Sequence, residues 1–133
     1  MNDAARLARS VLDRFEEGVA ASDVDALMSL CTDDVVLFGT ARANVGSDAS
    51  RDYIGVLVEI YATIRWHLDP IGVVHADEER VVVAGFGEVE HSEVEHGAAA
   101  APERTPFRLT LVLARVGDDW RIAHFHGSVP EAD

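Results

Sequence analysis

The chain has little cysteine, few basic residues and no long apolar segment, and each of these shortages excludes a class of protein. Cys31 is the only cysteine among 133 residues, so no internal disulfide can form and a cytoplasmic location is expected. Lysine and arginine total 11 against 24 acidic residues, and the net charge of −13 repels nucleic-acid phosphates and anionic membrane surfaces. No segment approaches the roughly 20 apolar residues of a membrane span, and the N-terminus lacks the apolar block of a secretion signal. We therefore expect neither nucleic acid nor a membrane as a partner.

What the chain does have is a hydrophobic content of 48%, which is enough for one core. A chain of this length buries roughly two-thirds of its unfolded surface and has no room for two independent cores. We therefore predict a single domain over residues 1–133.

Helical periodicity comes first along the chain and strand-like alternation follows it. Helices are predicted over residues 4–21, from residue 22 onward and over residues 49–64, with a short strand at 33–39. Longer strands are predicted at 66–75, 80–95, 106–116 and 120–128, with a connection at 97–105 that is expected to be mobile. Gly85 and Gly87 indicate a bend within their strand. This order predicts an α+β fold in which helices cover one face of a curved sheet.

The order of elements and the ending GDDWRIAHFHGSVP at residues 117–130 resemble the NTF2-like (cystatin-like) superfamily, in particular its SnoaL-like domains. The same ending is similar to the association domain of calcium/calmodulin-dependent protein kinase II. The resemblance implies a cone in which three N-terminal helices pack on a curved antiparallel or mixed sheet and leave a concave cavity. It does not select one activity, because this superfamily includes isomerases, cyclases, dehydratases, adaptors and oligomerisation modules.

The last strand carries the first candidate site. A period of two places Trp120, Ile122, His124 and His126 on one face, which we expect to look into the cone, while Phe125 takes the other face. His124 and His126, together with Asp34, are therefore the candidate catalytic acids and bases, since imidazole titrates near neutrality. The alternative is that both imidazole rings hydrogen-bond carbonyl groups and complete the core.

The predicted ligand-binding residues are spread over several elements, and they are Phe38, Tyr53, Tyr61, Trp66, His67, Glu88, Leu111 and Trp120. Leu111 stands where the kinase association domain has a pocket arginine, so the resemblance implies a more apolar pocket here. Isomerase relatives use an aspartate base beside tyrosine and acid donors, but both tyrosines of this chain are predicted on the third helix, which argues against that mechanism.

Two further predictions concern metal binding and the structure of residues 88–96. His124 and His126 could hold a metal with His67 or Glu88, but the spacing is not diagnostic of zinc, and no metal or cofactor is predicted. Residues 88–96, where acids alternate with valines and histidines, are predicted to form a solvated strand.

The sequence leaves two classes of function open. One is a pocket for a small, largely apolar molecule, with general acid–base chemistry of the isomerase, cyclase or hydratase type. The other is a non-catalytic ligand-binding or oligomerisation module. Whether the protein is an enzyme stays open. Apolar residues on the convex side of the sheet, among them Val112, Ala114 and Phe125, predict a homodimer formed through the sheet.

Overall fold

A computed structural model describes residues 2–40 and 42–131, so the ends of the predicted domain and residue 41 lie outside the described residues. Three helices occupy the N-terminal half, as predicted: α1 (Asp3–Ala20), α2 (Val24–Ser29) and α3 (Ser47–Ile60). No described helix is both long enough and apolar enough to cross a bilayer.

The helix boundaries differ from the predicted ones by a few residues. Asn2 caps α1 by accepting a hydrogen bond from the Ala5 amide at 2.9 Å. Asp23 caps α2 by accepting one from the Ala26 amide at 3.0 Å. α3 ends at Ile60, four residues before its predicted end, because residues 61–64 pair with a neighbouring strand instead. Tyr61 therefore begins a strand, and its predicted placement on the third helix is wrong.

All strands belong to one mixed sheet, and the α+β class is confirmed. The strands are β1 (Cys31–Phe38), β2 (Ala43–Val45), β3 (Tyr61–Ala76), β4 (Arg80–Glu95), β5 (Ala98–Ala99), β6 (Glu103–Val116) and β7 (Asp119–Ser128). Their order is β2-β1-β7-β6-β4-β3, and β5 pairs with β4. β1 and β7 run parallel, while the other pairs are antiparallel. Part of the connection expected to be mobile is thus the short strand β5.

The helices cover one face of this sheet, called here the inner face. On β6 the odd-numbered residues Phe107, Leu109, Leu111 and Leu113 are buried in the core, whereas the even-numbered positions form the outer face. On β4 the inner positions start at Val81 and Val83. α1 closes the core with its apolar stripe, whose buried members include Val11, Leu12 and Val19.

The predicted bend at Gly85 and Gly87 is confirmed by the pairing of β3 with β4. The register slips between Leu68 and Ile71, the partners of Gly87 and Gly85. A Cβ atom at Gly87 would collide with the carbonyl oxygen of His67, so the two backbones approach this closely only because the residue is glycine. Two residues of β3 therefore lie opposite one residue of β4 at this point, which is a β-bulge.

A second irregularity lies in β7 and decides which side chains reach the core. Leu113 pairs with Ile122, but the next residue of β6, Val112, pairs with His124, so Ala123 is an extra residue in β7. Such a bulge shifts the alternation of all later side chains by one position. Ile122 and Phe125 consequently share the inner face.

Candidate functional site

Two joined chambers lie between the helices and the inner face of the sheet. The inner chamber has a volume of about 50 Å³ and is enclosed by side chains such as Leu12, Phe15 and Ile122. The outer chamber has a volume of about 200 Å³ and extends toward Gly39 and Phe107. Both are lined by Tyr53, Leu57, Ile64, Trp66 and Phe125, so they form one tapering space, called here the cone.

Two phenols bring polarity to this apolar space. Tyr53 projects from α3 and lines both chambers, and Tyr61 at the start of β3 lines the outer one. Burial raises the pKa of Tyr53, the neighbouring Tyr61 raises it further, and Arg42 lowers it in part. Tyr53 is therefore a protonated hydrogen-bond donor at neutral pH. Gly39 makes room for it, since a Cβ atom there would collide with the phenol oxygen.

His91 is the third polar group of the outer chamber. Its Nε2 atom lies 3.2 Å from the Thr105 hydroxyl on β6, and its ring meets that of Tyr61 edge-on at 5.8 Å between centroids. When Nε2–H donates to the threonine oxygen, Nδ1 carries the lone pair that can accept a proton. The outer chamber thus combines two phenolic donors with one imidazole base.

Trp66 forms the wall between the two chambers and is fixed there by α1. The main chain of Trp66 lies on the edge strand β3, where Glu16 accepts its amide hydrogen at 3.0 Å and Arg9 donates to its carbonyl oxygen at 2.8 Å. Arg9 and Glu16 are also paired with each other. The indole packs between Phe15 and Phe125, with centroid distances of 5.6 and 5.9 Å. This clamp sets the position of the largest side chain in the cone.

The sequence matches the SnoaL-like domain family over residues 8–132. The chain belongs to the SnoaL-like family. No protein of curated function matches it.

Solved structures of NTF2-like proteins have the same fold as this SnoaL-like chain. A proposed dehydratase of the NTF2-like family from Streptomyces avermitilis is 14% identical, with a TM-score of 0.80 over 96% of this chain and 97% of that one. A proposed scytalone dehydratase from Novosphingobium aromaticivorans is 11% identical, with a TM-score of 0.77 over 95% and 83%. A proposed calcium/calmodulin-dependent protein kinase II association domain from Xanthomonas campestris is 17% identical, with a TM-score of 0.75 over 94% and 87%. At these identities the likeness confirms the NTF2-like fold and nothing finer.

In this SnoaL-like chain, the two histidines of β7 do not face the cone, and their predicted orientation is wrong. The Ala123 bulge turns His124 and His126 to the outer face, where they pair with Val112 and Thr110 of β6. His124 Nδ1 lies 2.9 Å from the carbonyl oxygen of Val36 on β1. The bulge equally reverses Phe125, which was predicted to face outward and instead lines both chambers. A catalytic role of the two histidines remains a prediction that the cavity does not support.

Phe38 and Asp34 of β1 also lie away from the cone. The Phe38 ring contacts His124 and His126 edge-on, at 5.1 and 5.7 Å between centroids, and forms an aromatic cluster with them on the outer face. Asp34 is exposed near the start of the strand, before the register with β7 becomes regular at Val36. The alternation of β1 buries Val35 and Leu37 instead.

His67 and Glu88 belong to a polar network on the outer face. His67 Nε2 lies 3.2 Å from Glu90, and Arg104 lies 3.1 Å from Glu90 and 3.6 Å from Glu88. The side chains of even-numbered residues on β4 and β6, such as Glu88 and Arg104, point away from the helices. On β3 the odd-numbered side chains do so, among them His67. These residues therefore cannot line the cone as predicted.

The remaining predicted ligand contacts are divided. Tyr53, Tyr61 and Trp66 line the cone. Leu111 faces inward but is fully buried in the core, so other side chains separate it from the chambers. Trp120 also packs against the core, opposite Arg115 near the β6–β7 turn.

His91 and Thr105 were missed, although the sequence held a signal for His91. Val81, Val83, Gly85, Gly87 and Val89 form an odd-numbered row of small or apolar residues, and His91 continues that row. The abundance of glutamate around it favoured a solvated strand, and the structure shows that only residues 93–95 at its end are exposed, while residues 88–91 are half-buried. Thr105 could not have been identified as a cavity residue from the sequence, because this requires knowing that it pairs with Val89.

Neither a cluster of metal-binding side chains nor a reactive cysteine provides a further site among the described residues. Residues 2–40 and 42–131 contain no group of three histidine, cysteine or acidic side chains placed to hold a metal ion. Cys31 is buried in β1, and burial raises the pKa of its thiol to about 11.

Proposed function

We propose that the cone binds a small, largely apolar molecule that carries a carbonyl group, and that Tyr53, Tyr61 and His91 act on it by general acid–base catalysis. The observation that supports this most is the grouping of two phenols and one imidazole in a chamber lined mainly by apolar side chains. Protonated Tyr53 donates a hydrogen bond to the carbonyl oxygen, and His91 removes a proton from the adjacent carbon. A hydrogen-bond donor held in place at the carbonyl oxygen stabilises the enolate that results.

Removal of a proton next to a carbonyl group is a step that many isomerases, cyclases and dehydratases share, so the proposed chemistry belongs to this group of reactions. Two of the similar structures are described as proposed dehydratases, which favours the same class. The substrate enters through the outer chamber, because that chamber reaches the exposed residue Thr40, and the inner chamber receives its apolar end.

Exchange of the α-protons of 1-indanone in D2O, followed by proton NMR, tests the proposal. We expect the protein to accelerate exchange over buffer, and Tyr53→Phe and His91→Gln each to slow it at least tenfold, since one positioned acid or base contributes about 10² to 10⁴ in rate. The double variant His124→Gln/His126→Gln is the control and should exchange at the rate of the unmodified chain. Binding of 1-indanone without acceleration would instead indicate a non-catalytic ligand-binding module.

Assembly through the outer face is a second candidate function, favoured by the composition of that face. A groove of about 500 Å³ crosses β4, β6 and β7, and Phe86 beside it is 56% exposed. Among the described residues that line the groove are Arg108 and His126, and none carries a carboxylate, although the chain has 24 acids. Two copies with a charge of −13 each repel one another least where they meet through such a face.

We propose an isologous homodimer formed through this groove and the aromatic cluster of Phe38, His124 and His126. One similar structure is described as a proposed association domain, which also favours assembly of this chain with a second copy. Sedimentation equilibrium should show a dimer for the unmodified chain and for Val56→Glu, which places the new charge on exposed α3. Phe86→Glu should shift the protein to a monomer. A monomeric unmodified chain at high micromolar concentration would refute the dimer.

A further inference from the structure

The aromatic side chains of this protein are concentrated in one place. The chain has two tryptophans, two tyrosines and five phenylalanines. Six of these nine line the cone, namely Phe15, Tyr53, Tyr61, Trp66, Phe107 and Phe125. Aliphatic side chains would exclude water equally well, so the excess of π-faces suggests a ligand that aromatic rings hold better than leucine does.

The cone itself contains no fixed charge, but a cavity beside its outer chamber is acidic. None of the described residues lining either chamber has a carboxylate or a guanidinium group. His91 forms a common wall between the outer chamber and a neighbouring cavity of about 100 Å³. That cavity, called here the acidic vestibule, is lined by Glu93, Glu95 and Glu103.

Basic side chains near the two cavities are already engaged or are exposed. Arg104, on the strand that also carries Glu103, is paired with Glu88 and Glu90 on the outer face. Arg42 is exposed, and its charge is the weakest of the three influences on Tyr53. Three exposed glutamates against the exposed Arg42 leave an excess of negative charge around the two cavities, which attracts cations and repels anions.

We propose that the natural ligand of the cone is a small carbonyl compound that also carries an amine or quaternary ammonium group, whose apolar body enters the cone and whose positive nitrogen stays in the outer chamber beside the vestibule. This rests on the proposed function, since it names the chemical class for the same cavity. Tyr61 and Phe107 line the outer chamber, and aromatic rings attract ammonium groups through their quadrupole. The three glutamates supply the long-range attraction.

A matched set of probes distinguishes the effect of the ligand's charge on binding from the effect of its shape. Phenyltrimethylammonium and tert-butylbenzene have nearly the same shape and differ in charge, and benzenesulfonate is the anionic counterpart. Binding is followed by the fluorescence of Trp66 in the variant Trp120→Phe, and by calorimetry on the unmodified chain in case that substitution disturbs folding. At pH 8 and low salt, we expect the cation to bind about tenfold more tightly than tert-butylbenzene, and the sulfonate to bind most weakly.

The contribution of the vestibule is tested by removing its charges against a matched control. Glu93→Gln/Glu95→Gln/Glu103→Gln should lose at least threefold of the preference for the cation. Glu78→Gln/Glu79→Gln/Asp118→Asn removes the same number of charges at the β3–β4 and β6–β7 turns, and should retain the preference. Equal effects of the two triple variants would overturn the role of the vestibule, and with it the proposal.

The remaining outcomes distinguish this inference from the proposed function. If tert-butylbenzene binds as tightly as the cation, the ligand class is wrong while the cone remains a binding site for apolar molecules. If none of the three probes and no 1-indanone binds, both proposals fail together.

Discussion

Replacing Glu16 on α1 should destabilise the protein far more than replacing its neighbour Glu17. The Glu16 carboxylate accepts the amide hydrogen of Trp66 at 3.0 Å and pairs with Arg9, and both groups are only partly exposed. A hydrogen bond to a charged acceptor contributes about 1.5 to 3 kcal/mol, whereas an exposed ion pair adds little. We therefore expect Glu16→Ala to lower the free energy of unfolding by about 2 kcal/mol, which corresponds to roughly 8 °C in Tm for a chain of this size.

The assay is urea denaturation at one protein concentration, with two further variants to identify the cause. Glu16→Gln keeps an oxygen that can accept the Trp66 amide hydrogen but loses the charge, so about 1 kcal/mol should be lost. Glu17→Ala, on the exposed side of the same helix, should change stability by less than about 0.5 kcal/mol. Equal losses for the alanine variants at positions 16 and 17 would refute the clamp, because helix propensity is the same at both sites.

Three other results follow from the geometry. Gly39→Ala should weaken 1-indanone binding to the cone at least fivefold in a fluorescence titration, because its methyl group displaces the phenol of Tyr53; unchanged binding would contradict the placement of that phenol. Cys31 should resist a thiol reagent at pH 8 in the native protein and react at once in urea, since burial raises its pKa to about 11; rapid native labelling would contradict its burial. Hydrogen bonds from the Glu79 and Arg80 amides and from His75 lower the pKa of Asp77 to about 2, below its model-compound value of 3.8. Its contribution to stability is therefore complete above pH 4 and is lost as the pH falls toward 2, and Asp77→Asn should be less sensitive over that interval in acid denaturation.

Much of the fold follows from the sequence because hydrophobic period and turn residues act locally. The strand predicted at residues 80–95 is β4 to the residue, since the polar turn at residues 77–79 precedes it and Gly97 follows it closely. Gly85 and Gly87 were assigned to a bend because a strand interior rarely tolerates two glycines, and the close backbone approach at Gly87 accounts for the pair. The end of α3 was misplaced, because Ile64 continues the helical spacing while its backbone pairs with His91 on β4.

The candidate site could be predicted only in part, and the reason is a single residue. Strict alternation from Trp120 places the histidines of β7 inside, and alternation holds as far as Ile122. Neither alanine nor its neighbours mark position 123 as a bulge, because a bulge forms where the partner strand requires it. Here the core gains Phe125 in contact with Trp66, in place of a histidine that would need a buried partner.

The preference for burying an apolar side chain rather than a polar one also explains why His91 remains in the cone. On β7, a large apolar side chain was available one position beyond the histidine, and a bulge could bring it inward at the cost of one unpaired residue. On β4, the residues on either side of His91 are Glu90 and Ser92, so no shift of register could replace the imidazole with an apolar group. His91 is thus held on the inner face by its neighbours, and its partner Thr105 satisfies one ring nitrogen while leaving the other for a ligand. In this chain, the polar residue that no shift of register could replace with an apolar one lines the cone, whereas the more conspicuous His124 and His126 lie on the outer face.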